Sequence, residues 1–207
     1  MKVLYIDTST SYLYTAIVDD GKLIEEIKEA DGQNLSEVAL PKIATMFKKS
    51  NLKPQDIEKI IVVNGPGSFT GIRIGLTIAK VYAWSLKIPI TTIYSLEAMA
   101  ISSEQEKIHV PIIDARRGFV YSAIYGKNNE VILKPQHIEL KKLQEYLKDL
   151  KEYEIITNDN FDNIKETVPY NPNLQKIVEH FKDKKEINPH AVNPEYLKLT
   201  EAEESKK

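Results

Sequence analysis

Residues 59–86 read KIIVVNGPGSFTGIRIGLTIAKVYAWSL, and this stretch decides the fold. Its first part, Lys59 to Val63, is a short apolar run bounded by turn signals, which is typical of a buried strand. Its last part, from about Thr70 to Leu86, is long and follows a glycine-rich turn, which predicts a helix. The stretch is therefore predicted to form a strand, a turn and a helix in succession.

Short apolar runs on both sides add further strands to this unit. Upstream, three runs separated by turn signals predict antiparallel strands at 3–6, 14–18 and 22–28. A helix is expected over 34–50 and another strand over 88–94. The order in this half of the chain is thus βββαβα followed by a strand.

The second half of the chain repeats this order. Strands are predicted at 110–113, 119–125, 130–133 and 153–157, and a helix is predicted over 140–150. The same kinds of element therefore return in the same sequence, which indicates an internal duplication.

The register of the two halves repeats as well, since Ile-Asp at 6–7 matches 113–114 and Tyr-x-Ala-Ile at 14–17 matches 121–124. Order and register together predict an α/β protein of two duplicated ribonuclease H-like or actin-like lobes, each a βββαβα mixed sheet with helices, meeting at a cleft. We assign residues 1–100 to the first lobe and 101–190 to the second, and expect about 191–207 to pack back on the first lobe.

The composition excludes several classes of protein. With 42% hydrophobic and 28% charged residues the chain can bury a core. The formal net charge of -2 lacks the broad basic field of a protein that binds nucleic acid alone, so any RNA contact must be local or shared with a partner. The absence of cysteine excludes disulfides, thiolate metal sites and cysteine nucleophiles.

The N-terminus, MKVLYID, lacks the apolar segment of a signal peptide. The apolar runs, such as Ile60 to Val63, are far shorter than the roughly 18 residues of a membrane span. A cytoplasmic protein without membrane contact is therefore expected.

Two loops carry residues suited to phosphate binding. The first follows the strand at 3–6 and contains Asp7, Thr8 and Ser9, in the position of the hairpins that reach nucleotide in actin-like ATPases. An Asx or ST turn that only closes the hairpin is the competing interpretation. The second is the glycine-rich turn before the long helix, where backbone N–H groups can bind an anion. Its candidate contacts are Gly65, Gly67 and Ser68.

Other features speak against nucleotide and metal chemistry. No glycine follows Gly126, so the second lobe lacks a glycine-rich loop to seat an adenosine, and no cofactor is expected. The four histidines have no spacing of three or four residues, so no metal site is expected. Arg116 and Arg117 could meet a phosphate, or they could face water in a hairpin turn.

The stretch from Val62 to Leu76, VVNGPGSFTGIRIGL, is similar to the signature of the bacterial TsaB (YeaZ) family. Supporting matches run along the chain and comprise Ile6-Asp7-Thr8-Ser9, Ser36-Glu37, Leu40-Pro41, residues 113–118 (IDARRG), Val120-Tyr121 and residues 194–198 (PEYLK). The sequence departs from the family pattern at Leu35, Phe119 and Lys198, where the family often has His, Glu and Arg.

The resemblance implies a non-catalytic partner of the transferase TsaD. With an ATPase, TsaE, the pair would form threonylcarbamoyladenosine next to the anticodon of tRNAs that read codons beginning with A. The catalytic relative places a metal on a His-x-x-x-His pair, which this chain lacks, so no catalytic residue is expected. An active actin-like ATPase or kinase, and a metal-dependent peptidase related to the catalytic paralogue, remain as alternatives.

The long helix predicts a docking surface, because its apolar residues sweep more than half of its circumference. The helix at 34–50 could cover this surface within the lobe. Alternatively, a homologous lobe of a partner could do so, or a second copy of the chain when the partner is absent. The residues expected at such an interface are Val38, Ile43, Ile74, Ile78 and Tyr82.

Overall fold

The first sheet is built around the strand that precedes the glycine-rich turn. In the computed structural model, which describes residues 1–30, 34–164 and 166–198, its strand order is β3-β2-β1-β4-β5. Strand β1 pairs antiparallel with β2 and parallel with β4. The strands are β1 (Lys2–Asp7), β2 (Tyr12–Asp19), β3 (Lys22–Ala30), β4 (Lys59–Val63) and β5 (Ile90–Ile93).

The second sheet repeats this topology without a counterpart of β5. Its order is β8-β7-β6-β9, with β6 antiparallel to β7 and parallel to β9. The predicted α/β class with two duplicated mixed sheets is therefore confirmed. The strands are β6 (Ile108–Asp114), β7 (Phe119–Tyr125), β8 (Val131–Glu139) and β9 (Tyr153–Ile156).

Helices cover the outer face of each sheet. Helices α1 (Leu35–Lys49) and α2 (Phe69–Leu86) pack on the first sheet, where Leu4 and Ile6 join a buried apolar cluster with their side chains. Helix α4 (Leu140–Lys148) covers the second sheet in the same way. Alternation along β1 sends Val3 and Tyr5 to the opposite, inner face.

Two helices that the sequence did not predict lie between the sheets. Helix α3 (Ser95–Ser102) contacts β6 and β7 of the second sheet, and α5 (Leu174–Phe181) contacts β1, β2 and β3 of the first. Both belong to one buried cluster that includes inner-face side chains of both sheets. The predicted lobe boundary at residue 100 falls inside α3, so a helix joins the lobes there and the two lobes share a core.

The chain returns to the first lobe after α5. The buried Lys59 ammonium donates to the carbonyls of Lys182 and Lys184, and the Ile187 N–H donates to the Ile90 carbonyl. Val192 is buried in the cluster beneath α2. The described part of the predicted return, 191–198, thus lies on the first lobe, and its remainder, 199–207, is outside the described residues. None of the described helices is long and apolar enough to cross a membrane.

Candidate functional site

The two predicted phosphate loops pack against each other. The Ser68 N–H donates to the Ser9 carbonyl at 2.7 Å, and the Thr8 hydroxyl donates to the Gly71 carbonyl at 2.7 Å. A Cβ atom added at Gly67, whose φ is +149°, would lie 2.2 Å from the Ser9 carbonyl oxygen. Glycine is required there because both the backbone conformation and the close approach exclude a side chain.

The polar groups of the first loop are committed to this packing. Asp7, Thr8 and Ser9 are each only 1% exposed, and the Ser9 N–H donates to Asp7 Oδ1 at 2.8 Å. This bond is an Asx turn, the competing interpretation of the loop. Asp7, Thr8 and Ser9 are thus covered by their own chain in this structure, and a contact of these residues with a nucleotide stays a prediction.

The glycine-rich turn is covered by the returning chain. The Glu195 N–H donates to the Asn64 carbonyl at 2.8 Å, and a Cβ atom at Gly65 would lie 2.4 Å from the Glu195 carbonyl oxygen. Ser68 is exposed, and its hydroxyl accepts the Gly71 N–H as the N-cap of α2. Gly65 and Gly67 therefore contact protein atoms at the places where a phosphate contact was predicted.

An aromatic cluster closes the same region and was not predicted. The Arg73 guanidinium lies 3.8 Å from the centre of the Phe69 ring, and Arg73 Nε donates to the Tyr196 hydroxyl at 2.8 Å. The Phe69 and Tyr196 rings stack with centres 5.0 Å apart. The cluster ties the returning chain to the start of α2, and the family match at residues 194–198 was the only sequence signal for it.

Asp7 is a buried carboxyl among tyrosines. Burial raises the pKa of Asp7, and hydrogen bonds from Ser9 and Tyr5 offset part of the rise. Burial also raises the pKa of Tyr5 and Tyr170 on the same inner face, with the charge of Asp7 as a further cause. Within the described ranges, no group of three or more His, Cys, Asp and Glu side chains is placed to hold a metal ion.

The predicted interface residues divide into two groups. Ile43 is fully buried in the outer core of the first lobe, so the prediction that it meets a partner is wrong. Ile74 and Ile78 are half-buried against Leu13 and Leu35, because α1 covers this side of α2. The covering is partial, since three large apolar side chains beside them stay exposed, namely Leu40, Val81 and Trp84.

The remaining two predicted interface residues, Tyr82 and Val38, lie on different sides of the helix pair. Tyr82 is half-buried, with its ring centre 6.3 Å from that of Phe47. Val38 is also half-buried, but it lies on the side of α1 that carries Lys42, whose ammonium pairs with Glu29 of β3. Only Tyr82 therefore leaves part of its side chain accessible beside the exposed residues of α2. The helical pattern could have found Val81 and Trp84, since both lie on the side of α2 opposite the core.

The turn between β6 and β7 copies the first hairpin in an exposed form. The Arg116 N–H donates to Asp114 Oδ1 at 2.8 Å, as Ser9 does to Asp7 in the first lobe. Asp114, Arg116 and Arg117 are exposed. The two arginines thus lie in a hairpin turn that faces water, and they were correctly placed in such a turn by the sequence pattern.

Comparisons with known proteins agree on one family. The model of the family "TsaD: tRNA N6-adenosine threonylcarbamoyltransferase" matches residues 26–193. The protein TsaB of Bacillus subtilis, named for tRNA threonylcarbamoyladenosine biosynthesis, is 33% identical over 98% of this chain and 96% of its own length. TsaB of Escherichia coli is 30% identical over 70% of this chain and 67% of its length. The solved structure of YeaZ from Pseudomonas aeruginosa matches with a TM-score of 0.75 and 18% identity, covering 95% of this chain and 99% of that one.

Proposed function

Because the chain belongs to the TsaB (YeaZ) family of tRNA threonylcarbamoyladenosine biosynthesis proteins, we propose that it is a non-catalytic subunit of the complex that makes this modification. It would support a TsaD-type catalytic subunit and act beside a TsaE-type ATPase. The substrate is tRNA, bound by the assembled complex. The chain would dock on the TsaD-type subunit and activate it.

The observation that carries this proposal is the closed first hairpin. In an actin-like ATPase the backbone N–H groups of such loops must be free to receive phosphates. Here the Ser9 and Ser68 N–H groups are bonded to Asp7 and to the Ser9 carbonyl, and Glu195 lies over Gly65. The fold thus keeps the lobes of the ATPase class while its phosphate loops serve packing.

The surface proposed for the partner is the outer α1–α2 face. It consists of exposed Leu40, Val81 and Trp84 with half-buried Ile74, Ile78 and Tyr82. Trp84 is 65% exposed and Val81 is 57% exposed, and large apolar side chains grouped on one helix face are typical of interfaces. A homologous lobe would present similar helices, and the two pairs would form a four-helix contact. A second copy of the chain could use the same face when the catalytic subunit is absent.

The test is a charge placed on this face. Val81→Glu is expected to abolish association with the TsaD-type subunit and to reduce threonylcarbamoyladenosine formation by tenfold or more, because a buried unpaired carboxylate costs several kcal/mol. The matched control is Val131→Glu, since Val131 is 52% exposed on the edge strand β8 of the other lobe. Association is measured by native mass spectrometry, and the proposal fails if both variants bind and support modification equally.

A further inference from the structure

The turn between β6 and β7 carries aromatic rings on one face of the second sheet. Phe119 and Tyr121 alternate along β7, and Tyr121 pairs across the sheet with His137 of β8. The Phe119 and His137 rings are stacked, with centres 4.7 Å apart and planes within 5°, and the Tyr121 ring lies 5.4 Å from His137. All three side chains are half-buried, so the stack is held in place and partly open to solvent.

Two arginines precede Phe119 of this stack in the chain, and their backbone conformation is unusual. Arg116 and Arg117 both have positive φ, at 66° and 54°, and Gly118 follows at 79°. Hairpin turns with consecutive positive φ favour Asn and Gly, because other residues are strained there. Turn geometry therefore does not explain why arginine is used at these two positions.

The choice of arginine is also selective within this chain. Of the basic residues, 28 in all, only Arg73, Arg116 and Arg117 are arginine. Arg73 is bound to Phe69 and Tyr196, whereas no carboxylate of the described residues lies within ion-pair distance of Arg116 or Arg117. A planar guanidinium binds phosphate through two parallel hydrogen bonds and stacks on flat rings, which lysine does not do.

Charged groups of both signs surround the turn. The Leu140 N–H donates to the Gly118 carbonyl, which brings the exposed Lys141 and Lys142 of α4 to the same end of the sheet. Two of the nearby acidic groups accept backbone N–H groups, and a third, the exposed Glu139, lies opposite Phe119 on β8. Asp114 accepts the Arg116 N–H, and Asp159 accepts the Asp114 N–H.

We propose that the β6–β7 turn surface, comprising Arg116, Arg117, Phe119, Tyr121 and His137, binds single-stranded RNA. The arginines contact phosphates and an unpaired base extends the ring stack, which is the usual way that aromatic residues and arginine hold single strands. The inference rests on the proposed function, since that function supplies an RNA substrate. It also accounts for the net charge, because this contact is local and needs no basic field over the whole chain.

The first experiment measures affinity for a short unstructured RNA oligonucleotide at several salt concentrations, with the full chain alone and bound to the TsaD-type subunit. Replacing both arginines (Arg116→Ala with Arg117→Ala) is expected to weaken binding about tenfold at low salt. It should also reduce the slope of log affinity against log salt by about 1.4, because each phosphate contact to a single strand contributes about 0.7. Replacing Lys148 and Lys151 by Ala removes the same charge at the opposite end of the sheet and should change neither value.

The second experiment tests the stack separately from charge. An oligonucleotide carrying 2-aminopurine is expected to lose fluorescence on binding, because the base stacks on the rings. Phe119→Leu should reduce this quenching at least severalfold, while Tyr153→Leu, at the far end of the same sheet, should leave it unchanged. Phe119→Tyr keeps an aromatic ring and should therefore quench the fluorescence like the natural chain. Circular dichroism and the unfolding midpoint show whether each variant is folded.

The outcomes separate this inference from the function on which it rests. If the variant without Arg116 and Arg117 binds RNA as tightly as the variant without Lys148 and Lys151, the RNA assignment is overturned. This holds even when tRNA modification proceeds. If the variant without the two arginines loses the TsaD-type subunit but keeps RNA affinity, the turn is a protein contact and the assignment is also overturned. If the unaltered chain does not support threonylcarbamoyladenosine formation, the proposed function fails, and RNA binding still decides the role of the turn.

Discussion

The two hairpins that follow β1 and β6 have the same local structure and opposite surroundings. In each, an aspartate at the end of the strand accepts the N–H two residues later at 2.8 Å, from Ser9 in the first lobe and Arg116 in the second. Asp7 is buried, whereas Asp114 is exposed. The duplicated sequence therefore sets the turn, and the neighbours of the turn set its chemistry.

The difference comes from what each lobe places over its hairpin. In the first lobe, the glycine-rich turn between β4 and α2 lies directly on Ser9, and the returning chain at Glu195 lies on that turn. In the second lobe, β9 is followed by irregular chain, and α5 packs on the other sheet. The hairpin after β1 is thereby buried and contributes to packing, whereas the hairpin after β6 stays exposed to solvent.

The largest effect that distinguishes the hairpins is expected from glycine substitutions. Gly67→Ala places a Cβ atom 2.2 Å from the Ser9 backbone at a φ of +149°, so it should lower the free energy of unfolding by about 3 kcal/mol, combining strain and overpacking. Gly118→Ala is the matched control, because its φ is +79° and nothing lies within 4 Å of the added atom. It should cost only about 1 kcal/mol.

Urea unfolding of both variants measures this difference. Equal losses of stability would mean that the enclosed hairpin yields as easily as the open one. In that case close packing against Ser9 would not be what keeps the first hairpin shut.

A smaller effect is expected in the dependence of stability on pH. Burial raises the pKa of Asp7, with hydrogen bonds from Ser9 and Tyr5 opposing the rise. A carboxyl whose pKa is higher in the folded chain binds a proton preferentially when folded, so its contribution to stability falls as pH rises from its unfolded pKa of about 4. Asp7→Asn keeps an oxygen for the Ser9 N–H and should remove this fall.

The measurement is the free energy of unfolding of the natural chain and the variant at several pH values. Stability of the natural chain relative to Asp7→Asn should decrease as the pH rises above about 4. Asp114→Asn is the matched variant, because Asp114 occupies the equivalent turn of the second lobe and is exposed. A relative stability that rises with pH would contradict the assigned direction of the Asp7 shift.

Sequence patterns predicted the parts of this comparison that are local. The strands, helices α1, α2 and α4 and both turns follow from apolar spacing and turn residues. Helix α3 was missed because nearly all of its residues are buried, so it has no polar face to mark it. Helix α5 did carry a signal, since Leu174, Ile177, Val178 and Phe181 have helical spacing and all are buried.

What the sequence could not predict is which distant segment covers which surface. The closure of the glycine-rich turn depends on Glu195, far along the chain, and no local pattern reveals that contact. The same limit explains Ile43, since periodicity shows that it is on the apolar side of α1 without showing that the first sheet covers that side. Exposure of the second hairpin was likewise decided by where α5 packs.

The last prediction is that adding magnesium–ATP to the lone chain has no measurable effect. The lone chain is expected to release no binding heat in calorimetry and to hydrolyse no ATP. The reason is that the Ser9 N–H of the first hairpin donates to Asp7, and the Ser68 N–H of the glycine-rich turn donates to the Ser9 carbonyl. Micromolar affinity would contradict this, and it would favour the actin-like ATPase or kinase class instead. Repeating the titration with the variant that carries Arg116→Ala and Arg117→Ala shows which hairpin binds any ATP. Weak binding heat that disappears in this variant comes from ATP phosphates bound at the open β6–β7 turn. Heat that is unchanged in this variant would mean that the enclosed hairpin can open.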